Sequence, residues 1–181
     1  MSTVGQIEKK TQGRVVQLFQ DQLGYDYLGN WIDRAGNSNI EEAYLRPYLA
    51  AKGYPPALIT KAIAHLTKVA TDQSRSLYDI NRDVYDLLRY GVKVKADVGE
   101  QTQTVWLIDW ANPATNHFAI AEEVAVKAAT SDGKTFGKRP DVVIYVNGIA
   151  LGVLELKRST VSVSEGIRQN LDNQKPMFIQ R

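Results

Sequence analysis

The first ninety residues carry apolar side chains at helical spacing, in segments that are separated by glycine and proline. This period predicts a largely helical half with four helices. The first helix ends before Gly24, where a glycine just past a helix end is typical, and the second runs from Ile40 to Gly53. The third opens at Pro55-Pro56, and the fourth covers Leu77 to Tyr90.

The second predicted helix carries one signal at its start and another in its interior. Asn39 and Glu42 have the spacing of a capping box. Pro47 should kink or split the helix, because proline lacks a backbone N–H and its ring clashes with the preceding turn. The aromatic stretch 25–32, which precedes this helix, can be extended.

After Gly91 the apolar period changes to two, which is typical of strands. Strands are predicted over residues 92–98, 104–110, 117–126, 141–146 and 149–156, and the polar stretch 130–138 is predicted to be a loop. Ser162 or Ser164 should cap a helix through about Gln174, and Met177–Ile179 resembles another strand. Because the chain stops inside this apolar run, we expect it to be part of a longer protein.

The composition excludes several classes of site. There is no cysteine, so disulfides, thiolate zinc sites and cysteine nucleophiles are absent, and two histidines cannot form a histidine-rich metal site. No phosphate-binding P-loop sequence occurs. The most apolar run, residues 142–154, is interrupted by Asn147-Gly148 and is shorter than the roughly 18 residues of a membrane span. With a polar start and no such span, we expect a cytoplasmic protein without a membrane partner.

Two acidic residues and a lysine lie at the ends of two predicted apolar strands. Asp141 opens one strand, and Glu155 and Lys157 close the next. Charged groups at the end of a buried strand are costly unless they pair or bind an ion. The strand period places Glu155 and Lys157 on one face, beside the strand that Asp141 begins. We therefore expect two carboxylates and an ammonium group at one sheet edge.

This arrangement has a clear chemical use. Two neighbouring carboxylates repel each other unless a cation lies between them, and oxygen ligands select a hard ion such as Mg²⁺. A metal held in this way activates water and neutralises phosphodiester charge, while a lysine orients the water or stabilises the developing charge. The same pattern also fits an exposed strand end, with Glu155 and Lys157 as a surface ion pair and Asp141 as a turn residue.

The hairpin between these strands allows a geometric test. Asn147-Gly148 favours a two-residue turn, which would pair Asp141 with Leu154 and put it on the face opposite Glu155. A three-residue loop of Val146, Asn147 and Gly148 would instead place Asp141 and Glu155 on one face. We predict this three-residue loop, or a bulge elsewhere with the same effect.

Positive charge is slightly enriched near these residues. The chain has a net charge of +2, and residues 131–181 hold eight basic and five acidic residues. This is a weak indication of an anionic ligand. Arg139 and Arg168 are candidate phosphate contacts, although a solvated charge is the alternative at each position.

The block from Arg139-Pro140-Asp141 to Glu155-Leu156-Lys157 strongly resembles the nuclease motif of the restriction (R) subunits of type I restriction–modification enzymes, within the PD-(D/E)xK superfamily. Segments elsewhere extend the resemblance over most of the chain: Leu23-Gly24-Tyr25, Gly91-Val-Lys-Val-Lys, Leu107-Ile-Asp-Trp, Asn112-Pro and Asn116-His-Phe. The implied fold is α/β, with a mixed β-sheet flanked by helices in a restriction-endonuclease-like core. The helical part would cover about residues 1–91, and the nuclease core about residues 92–181.

The resemblance also implies roles for individual residues. Asp141 and Glu155 would bind the metal together with the carbonyl of Leu156, and Lys157 would be catalytic. Gln169 would support the site or DNA. Two departures from the family pattern concern the neighbouring positions: the tyrosine expected four residues after Gln169 is Asn173, and the acid that many members carry in the first helix is either Glu8 or replaced by Gln12.

The implied activity is Mg²⁺- or Mn²⁺-dependent endonucleolytic cleavage of double-stranded DNA, as the nuclease domain of a longer R subunit. An ATP-driven motor would lie outside these residues, and modification and specificity subunits would be partners. Two other functions fit the sequence: another PD-(D/E)xK enzyme for repair or junctions, and a catalytically silent DNA-binding module. The DNA sequence recognised, the oligomeric state and cleavage by this chain alone are left open.

Overall fold

The computed structural model describes residues 3–72, 74–129 and 135–156, together with Ser164, Ile167, Arg168, Leu171 and Asp172. The helices of these ranges are α1 (Thr3–Asp21), α2 (Glu42–Ala51), α3 (Pro56–Ala70) and α4 (Leu77–Tyr90). They confirm the four predicted helices. None of the helices in this part of the chain combines the length and apolar character needed to cross a bilayer.

The predicted capping box at the start of α2 is wrong. Glu41 is the N-cap residue and makes no side-chain cap, and the preceding Ile40 forms an isolated antiparallel bridge with Ile149. The backbone N–H of Glu41 donates to the carbonyl of Gly148 at 2.7 Å. These bonds hold residues 40–41 in an extended form, so that the helix begins later than the sequence pattern predicts.

Pro47 does not split α2. The helix is continuous from Glu42 to Ala51 with Pro47 inside it. Leu45, Tyr48 and Leu49 are buried on one side of the helix, on both sides of the proline along the chain. Burial of three large side chains outweighs the loss of one backbone hydrogen bond, which explains why the helix continues.

The strands are β1 (Asp26–Asn30), β2 (Val92–Val94), β3 (Gln103–Val105), β4 (Phe118–Glu122), β5 (Val126–Ala129), β6 (Thr135–Lys138), β7 (Val142–Val146) and β8 (Ile149–Leu154). Several predictions need correction. The strand predicted over residues 92–98 ends at Val94, and the strand predicted over residues 117–126 ends at Glu122, before β5 begins at Val126. The strand predicted over residues 104–110 ends at Val105, because Leu107 and Ile108 are both buried and break the alternation. The stretch 130–138, predicted as a loop, contains β6, which pairs with β5 in antiparallel fashion.

The central sheet has the order β1-β4-β7-β8 and is mixed, which confirms the predicted fold class. Strand β1 runs parallel to β4, with Tyr27 opposite Ile120. Strands β2 and β3 form a separate antiparallel pair. Of the predicted C-terminal helix, the described residues Ser164, Ile167, Arg168, Leu171 and Asp172 are helical, whereas the predicted strand 177–179 lies outside the described residues.

The chain divides into two compact units, each of which is built from separate stretches of the sequence. The first unit takes its described residues from the stretch up to and including Ser38, from Phe118–Tyr145 and from Ala150 onwards. The second takes Asn39–His117 and Val146–Ile149. The domain boundaries of a longer protein stay a prediction.

Each unit has an apolar core of its own. In the first unit, Val16 of α1 packs with Ile120 and Val142 of the sheet. In the second unit, the core joins α2, α3, β2 and β3 with the loop after β3 and with Ile149. Its buried side chains include Leu45, Leu49, Leu58, Ile59, Ile63, Leu66, Val92, Val105 and Leu107.

A buried amide network anchors the β7–β8 turn within the second unit. The side chain of Asn147, which is 0% exposed, donates to the carbonyl of Leu107 and to Oδ1 of Asn116, both at 2.9 Å. Its Oδ1 accepts from the backbone N–H of His117 at 2.7 Å. Asn116 in turn accepts from the hydroxyl of Tyr48 at 3.2 Å. All of these polar groups are paired, which buried polar groups require.

The turn itself has two residues, not three. Asn147 and Gly148 both have positive φ, 52° and 84°, as in a type I′ turn. A Cβ at position 148 would lie 2.6 Å from the carbonyl oxygen of Glu41. Glycine is therefore required at this position both by the backbone conformation and by the close approach of α2.

The pairing register of β7 and β8 is shifted beyond the turn. The sequence analysis expected such a shift from a three-residue loop or from a bulge elsewhere. A Cβ on Gly152 would lie 3.5 Å from the Cβ of Ile144, and Leu154 packs on the cluster that includes Ile144 and Val142. Gly152 and Leu154 thus share the face of Ile144, which an uninterrupted two-residue hairpin would not allow. The predicted three-residue loop is wrong, but the alternative prediction of an equivalent shift agrees with these contacts.

Candidate active site

Asp141 and the segment after β8 meet at the edge of the central sheet. Asp141 precedes β7 and is half-buried, behind the buried Pro140. Its Oδ2 accepts a hydrogen bond of 2.6 Å from the backbone N–H of Leu156. This bond brings the Asp141 carboxylate to the peptide that joins Glu155 to Leu156. The structure therefore brings together three of the residues that the sequence analysis selected.

Glu155 and Leu156 directly follow β8, and both are half-buried. Two carboxylates and a backbone carbonyl, all oxygen donors, match the chemistry that Mg²⁺ and Mn²⁺ prefer. In the described part of the chain, no group of three or more histidine, cysteine, aspartate or glutamate side chains could hold a metal.

The backbone of Asp141 is held from two other elements. Its carbonyl accepts hydrogen bonds from the N–H of Glu123 at 3.0 Å and from Nε2 of Gln12 at 3.2 Å. Gln12 lies on α1 and is buried, and its Nε2 also donates to Oε1 of Glu123 at 3.3 Å. The neutral amide at position 12 can donate both bonds, which a glutamate at this position could not.

Glu123 is the residue of this region that the sequence analysis missed. It follows β4 with a φ of 53°, a left-handed conformation that is uncommon for a residue other than glycine. Its carboxylate forms a 2.7 Å ion pair with Nε of Arg139. The sequence feature that could have identified Glu123 is the acidic pair Glu122-Glu123 at the end of an apolar strand. Glu155 occupies the same kind of position at the end of β8.

The adjacent Glu122 has a different partner. Its carboxylate accepts a short hydrogen bond from the hydroxyl of Tyr27 on β1. Partial burial and this bond raise the pKa of Tyr27 to about 12. Glu122 therefore links β4 to β1, whereas the backbone N–H of Glu123 contacts the carbonyl of Asp141.

Of the other predicted residues, some belong to the described part of the chain and others do not. Arg139, predicted as a DNA contact, is half exposed in its pair with Glu123. Arg168 is helical and exposed. Glu8 lies in α1. Lys157, Gln169 and Asn173 lie outside the described residues, so their roles stay predictions.

Comparison with known proteins agrees with the motif. Residues 6–180 match the family model described as the type I restriction enzyme R protein N terminus. This match covers nearly the whole chain, including the segment from Asp141 to Leu156.

Two relatives carry names of the same kind. A Methanocaldococcus jannaschii protein, provisionally named as the type I restriction enzyme MjaIXP endonuclease subunit, is 29% identical over 144 residues. The type I restriction enzyme HindI endonuclease subunit of Haemophilus influenzae is 33% identical over 112 residues. The matches cover 75% and 60% of this chain but only 14% and 10% of the relatives.

Proposed function

The chain belongs to the family of type I restriction enzyme R protein N termini, and from this premise we propose that it is a Mg²⁺-dependent endonuclease module that cleaves double-stranded DNA. The observation that carries the proposal is the hydrogen bond between Asp141 and the N–H of Leu156, which joins the two halves of the motif. Family membership alone would support a restriction subunit. The contact adds a defined edge of the sheet at which hydrolysis can occur.

We assign Asp141, Glu155 and the carbonyl of Leu156 to the binding of Mg²⁺ or Mn²⁺. The Leu156 N–H donates to Oδ2 of Asp141, and this bond orients the carboxylate at the proposed metal site. When bound, the cation lowers the pKa of a water ligand and neutralises charge on the scissile phosphate.

The chain's own residues have separate tasks in this proposal. Gln12 and the Glu123 backbone hold the carbonyl of Asp141, so that its side chain stays aligned. Lys157 is assigned, by the family motif, to orient the attacking water and to stabilise charge on the phosphate. Arg139, Arg168 and Gln169 are assigned to contact or support the DNA.

The remaining parts of the proposal concern a longer protein. Since the chain spans about a seventh and a tenth of the relatives that it matches, the restriction activity requires more than these residues. We propose that an ATP-dependent motor is part of the same subunit and that modification and specificity subunits are its partners. A cytoplasmic location belongs to the same proposal.

The decisive experiment uses Asp141→Asn in the full-length subunit, assembled with its partner subunits. Asparagine keeps an oxygen for the Leu156 N–H but removes the charge. We expect loss of plasmid cleavage and of Mn²⁺ binding measured by electron paramagnetic resonance. Asp33→Asn, at an exposed position of the same unit, is the control. Full cleavage by a folded Asp141→Asn enzyme would contradict the proposal.

Two other functions make different predictions. A catalytically silent DNA-binding module would bind neither Mn²⁺ nor Mg²⁺ at Asp141 and Glu155, even in the unmodified enzyme. A repair or junction nuclease of the same superfamily would cut without ATP and without partner subunits. Omitting ATP or the partner subunits from the cleavage assay therefore separates it from a restriction subunit.

A further inference from the structure

The second unit contains a cavity of about 560 Å³ that shares no residue with the candidate active site. This volume lies within the range of about 300–1,000 Å³ that is typical of small-molecule sites. Half of its ten lining residues are aromatic, and two are cationic. The aromatic side chains are Tyr48, Tyr54, Tyr90, Trp106 and Trp110.

Both tryptophans are accessible but fixed in place. Trp106 and Trp110 are 44% and 46% exposed. The indole N–H of Trp110 donates to the carbonyl of Leu88 at 2.8 Å, and the backbone N–H of Trp106 donates to the hydroxyl of Tyr54 at 3.0 Å. Because the polar edge of Trp110 is already bonded, its ring offers a partner mainly the π-face.

Gly91 allows β3, the strand that leads to Trp106, to pack closely against the end of α4. A Cβ at position 91 would lie 2.5 Å from Cγ2 of Thr104 and 3.5 Å from Cδ2 of Trp106. The φ of Gly91 is also positive, at 75°. The glycine that ends α4 thus permits both the turn and the close approach of the strand that leads to Trp106.

The two cations of the cavity differ in their partners. Lys52 pairs with Asp109 at 2.7 Å, so its charge is compensated. The guanidinium of Arg89 lies 5.4 Å from the centre of the Trp110 ring, and among the described residues it has no carboxylate within ion-pair distance. The cavity therefore carries one uncompensated positive charge beside an aromatic face.

These properties select a flat, anionic ligand. A ligand cation would be repelled by the uncompensated charge of Arg89. A sugar rich in hydroxyl groups would find few free polar partners among rings whose hydrogen-bonding groups are partly used. A nucleobase stacks on aromatic rings irrespective of its identity, and its phosphate can pair with an arginine.

We propose that this aromatic pocket binds a nucleotide, with the base stacked on Trp106 or Trp110 and the phosphate beside Arg89. The nucleotide can come from two sources, a free nucleoside monophosphate or an exposed base of a single DNA strand. The pocket needs neither Asp141 nor a metal, so the proposal is independent of the nuclease function.

Tryptophan fluorescence of the 181-residue chain provides the test. The chain has three tryptophans, and the third, Trp31, is buried at 5% exposure. We would titrate the chain in EDTA with deoxyadenosine monophosphate and, separately, with a twelve-residue oligodeoxyadenylate, and measure the heat of binding with the same probes. We expect quenching by at least one probe, and Trp31→Phe should preserve it.

Variants assign the quenching to the pocket. Trp106→Ala or Trp110→Ala, at whichever ring the base stacks on, should weaken binding at least about fivefold, since stacking contributes about 1–3 kcal/mol per base. Arg89→Gln should weaken binding and, with the oligonucleotide, reduce the slope of log affinity against log salt by about 0.7, for one lost phosphate contact. Arg82→Gln, on the same helix but paired with Asp79 and Asp83, is the matched control and should change neither.

Each outcome decides the proposal. Binding of the monophosphate that depends on Arg89 and on Trp106 or Trp110 supports a free nucleotide as the ligand, whereas binding of the oligonucleotide alone supports a DNA strand. Absence of both quenching and heat with either probe overturns the proposal. So does binding that is unchanged in each of the Trp106→Ala, Trp110→Ala and Arg89→Gln variants, provided that circular dichroism shows an intact fold.

Discussion

The sheet edge at Asp141 and the aromatic pocket present chemical groups of opposite character. The first presents carboxylates and backbone groups, and its key contact joins Asp141 to Leu156 across one hairpin. The second presents indole and phenol rings with an uncompensated arginine, which come from α2 and the loop after it, from α4 and from the loop after β3. The first has the chemistry to hold a cation, and the second has the chemistry to hold an anion with a flat ring.

The two regions also differ in how their residues are spaced along the chain, and therefore in how well each can be predicted from the sequence. One hairpin carries the donor residues of the first, so their spacing is a motif. The residues of the pocket are spread from Tyr48 to Ala111, and no local spacing connects them. If the comparison is correct, changes at one region should not alter the chemistry of the other.

The largest effect is expected from Glu155→Gln in the assembled full-length enzyme. It removes one proposed metal ligand while keeping the size of the side chain, and cleavage should fall at least about a thousandfold, because such groups act as a unit. Oligonucleotide quenching by the 181-residue chain should not change. A cleavage rate within tenfold of the unmodified enzyme would remove Glu155 from the site.

Asn147→Gly tests the turn between the two strands of the hairpin. Glycine keeps the positive φ but deletes the side chain that bonds Leu107, Asn116 and His117. We expect the free energy of unfolding to fall by about 2–4 kcal/mol, since buried polar groups lose their partners. Urea denaturation measures this loss, and Asn112→Ala at an exposed loop position is the control. A loss below about 1 kcal/mol would show that water replaces the amide.

Gln12→Ala should weaken metal binding or cleavage by about 10–100-fold, which is usual when a residue that orients a ligand is lost. Its bonds to Asp141 and Glu123 make Gln12 a positioning residue. Mn²⁺ affinity measured beside kcat separates this role from loss of fold. Gln17→Ala, at an exposed position of α1, should have no effect. Equal behaviour of the two variants would contradict the assignment.

The smallest effect concerns Asp109, beside the aromatic pocket. The Lys52 ammonium, the N–H of Asn112 and the hydroxyl of Thr115 lower the pKa of Asp109 to about 2. A pKa below the unfolded value means that this stabilisation is complete above about pH 4 and is lost as the pH falls through 2. The difference in thermal midpoint between the unmodified chain and Asp109→Asn should therefore shrink from pH 5 to pH 2. Lys52→Met should produce the same flattening, and a difference that persists at pH 2 would refute the cause.

Local signals explain which elements could be predicted. Helices α3 and α4 follow from apolar periods with clear ends at Pro55-Pro56 and Gly91, and β7 and β8 follow from two apolar runs around Asn147-Gly148. The strand predicted through Trp110 failed, since alternation cannot reveal that consecutive residues Leu107 and Ile108 are both buried. The helix start predicted at Asn39 was wrong, because the backbone N–H of Glu41 donates to the carbonyl of Gly148, which lies far along the chain.

For the candidate site, the same distinction applies. The meeting of Asp141 with the Glu155–Leu156 peptide could be predicted, because a hairpin connects them. Gln12 comes from α1 and Glu123 from the end of β4, and only the tertiary fold brings them to the carbonyl of Asp141. The hairpin shift was predicted as a requirement of the chemistry, but its place in the strands was not.

The Asn147 network also has a consequence for the order of synthesis. Residues 146–149 belong to the second unit, yet residues 118–145 of the first unit are made before them. At about 5–20 residues per second, a growing chain spends seconds with the carbonyl of Leu107 and the side chain of Asn116 lacking Asn147, and with the core lacking Ile149. Helices α2–α4 emerge early, but a nascent chain that stops before residue 149 has an incomplete second unit.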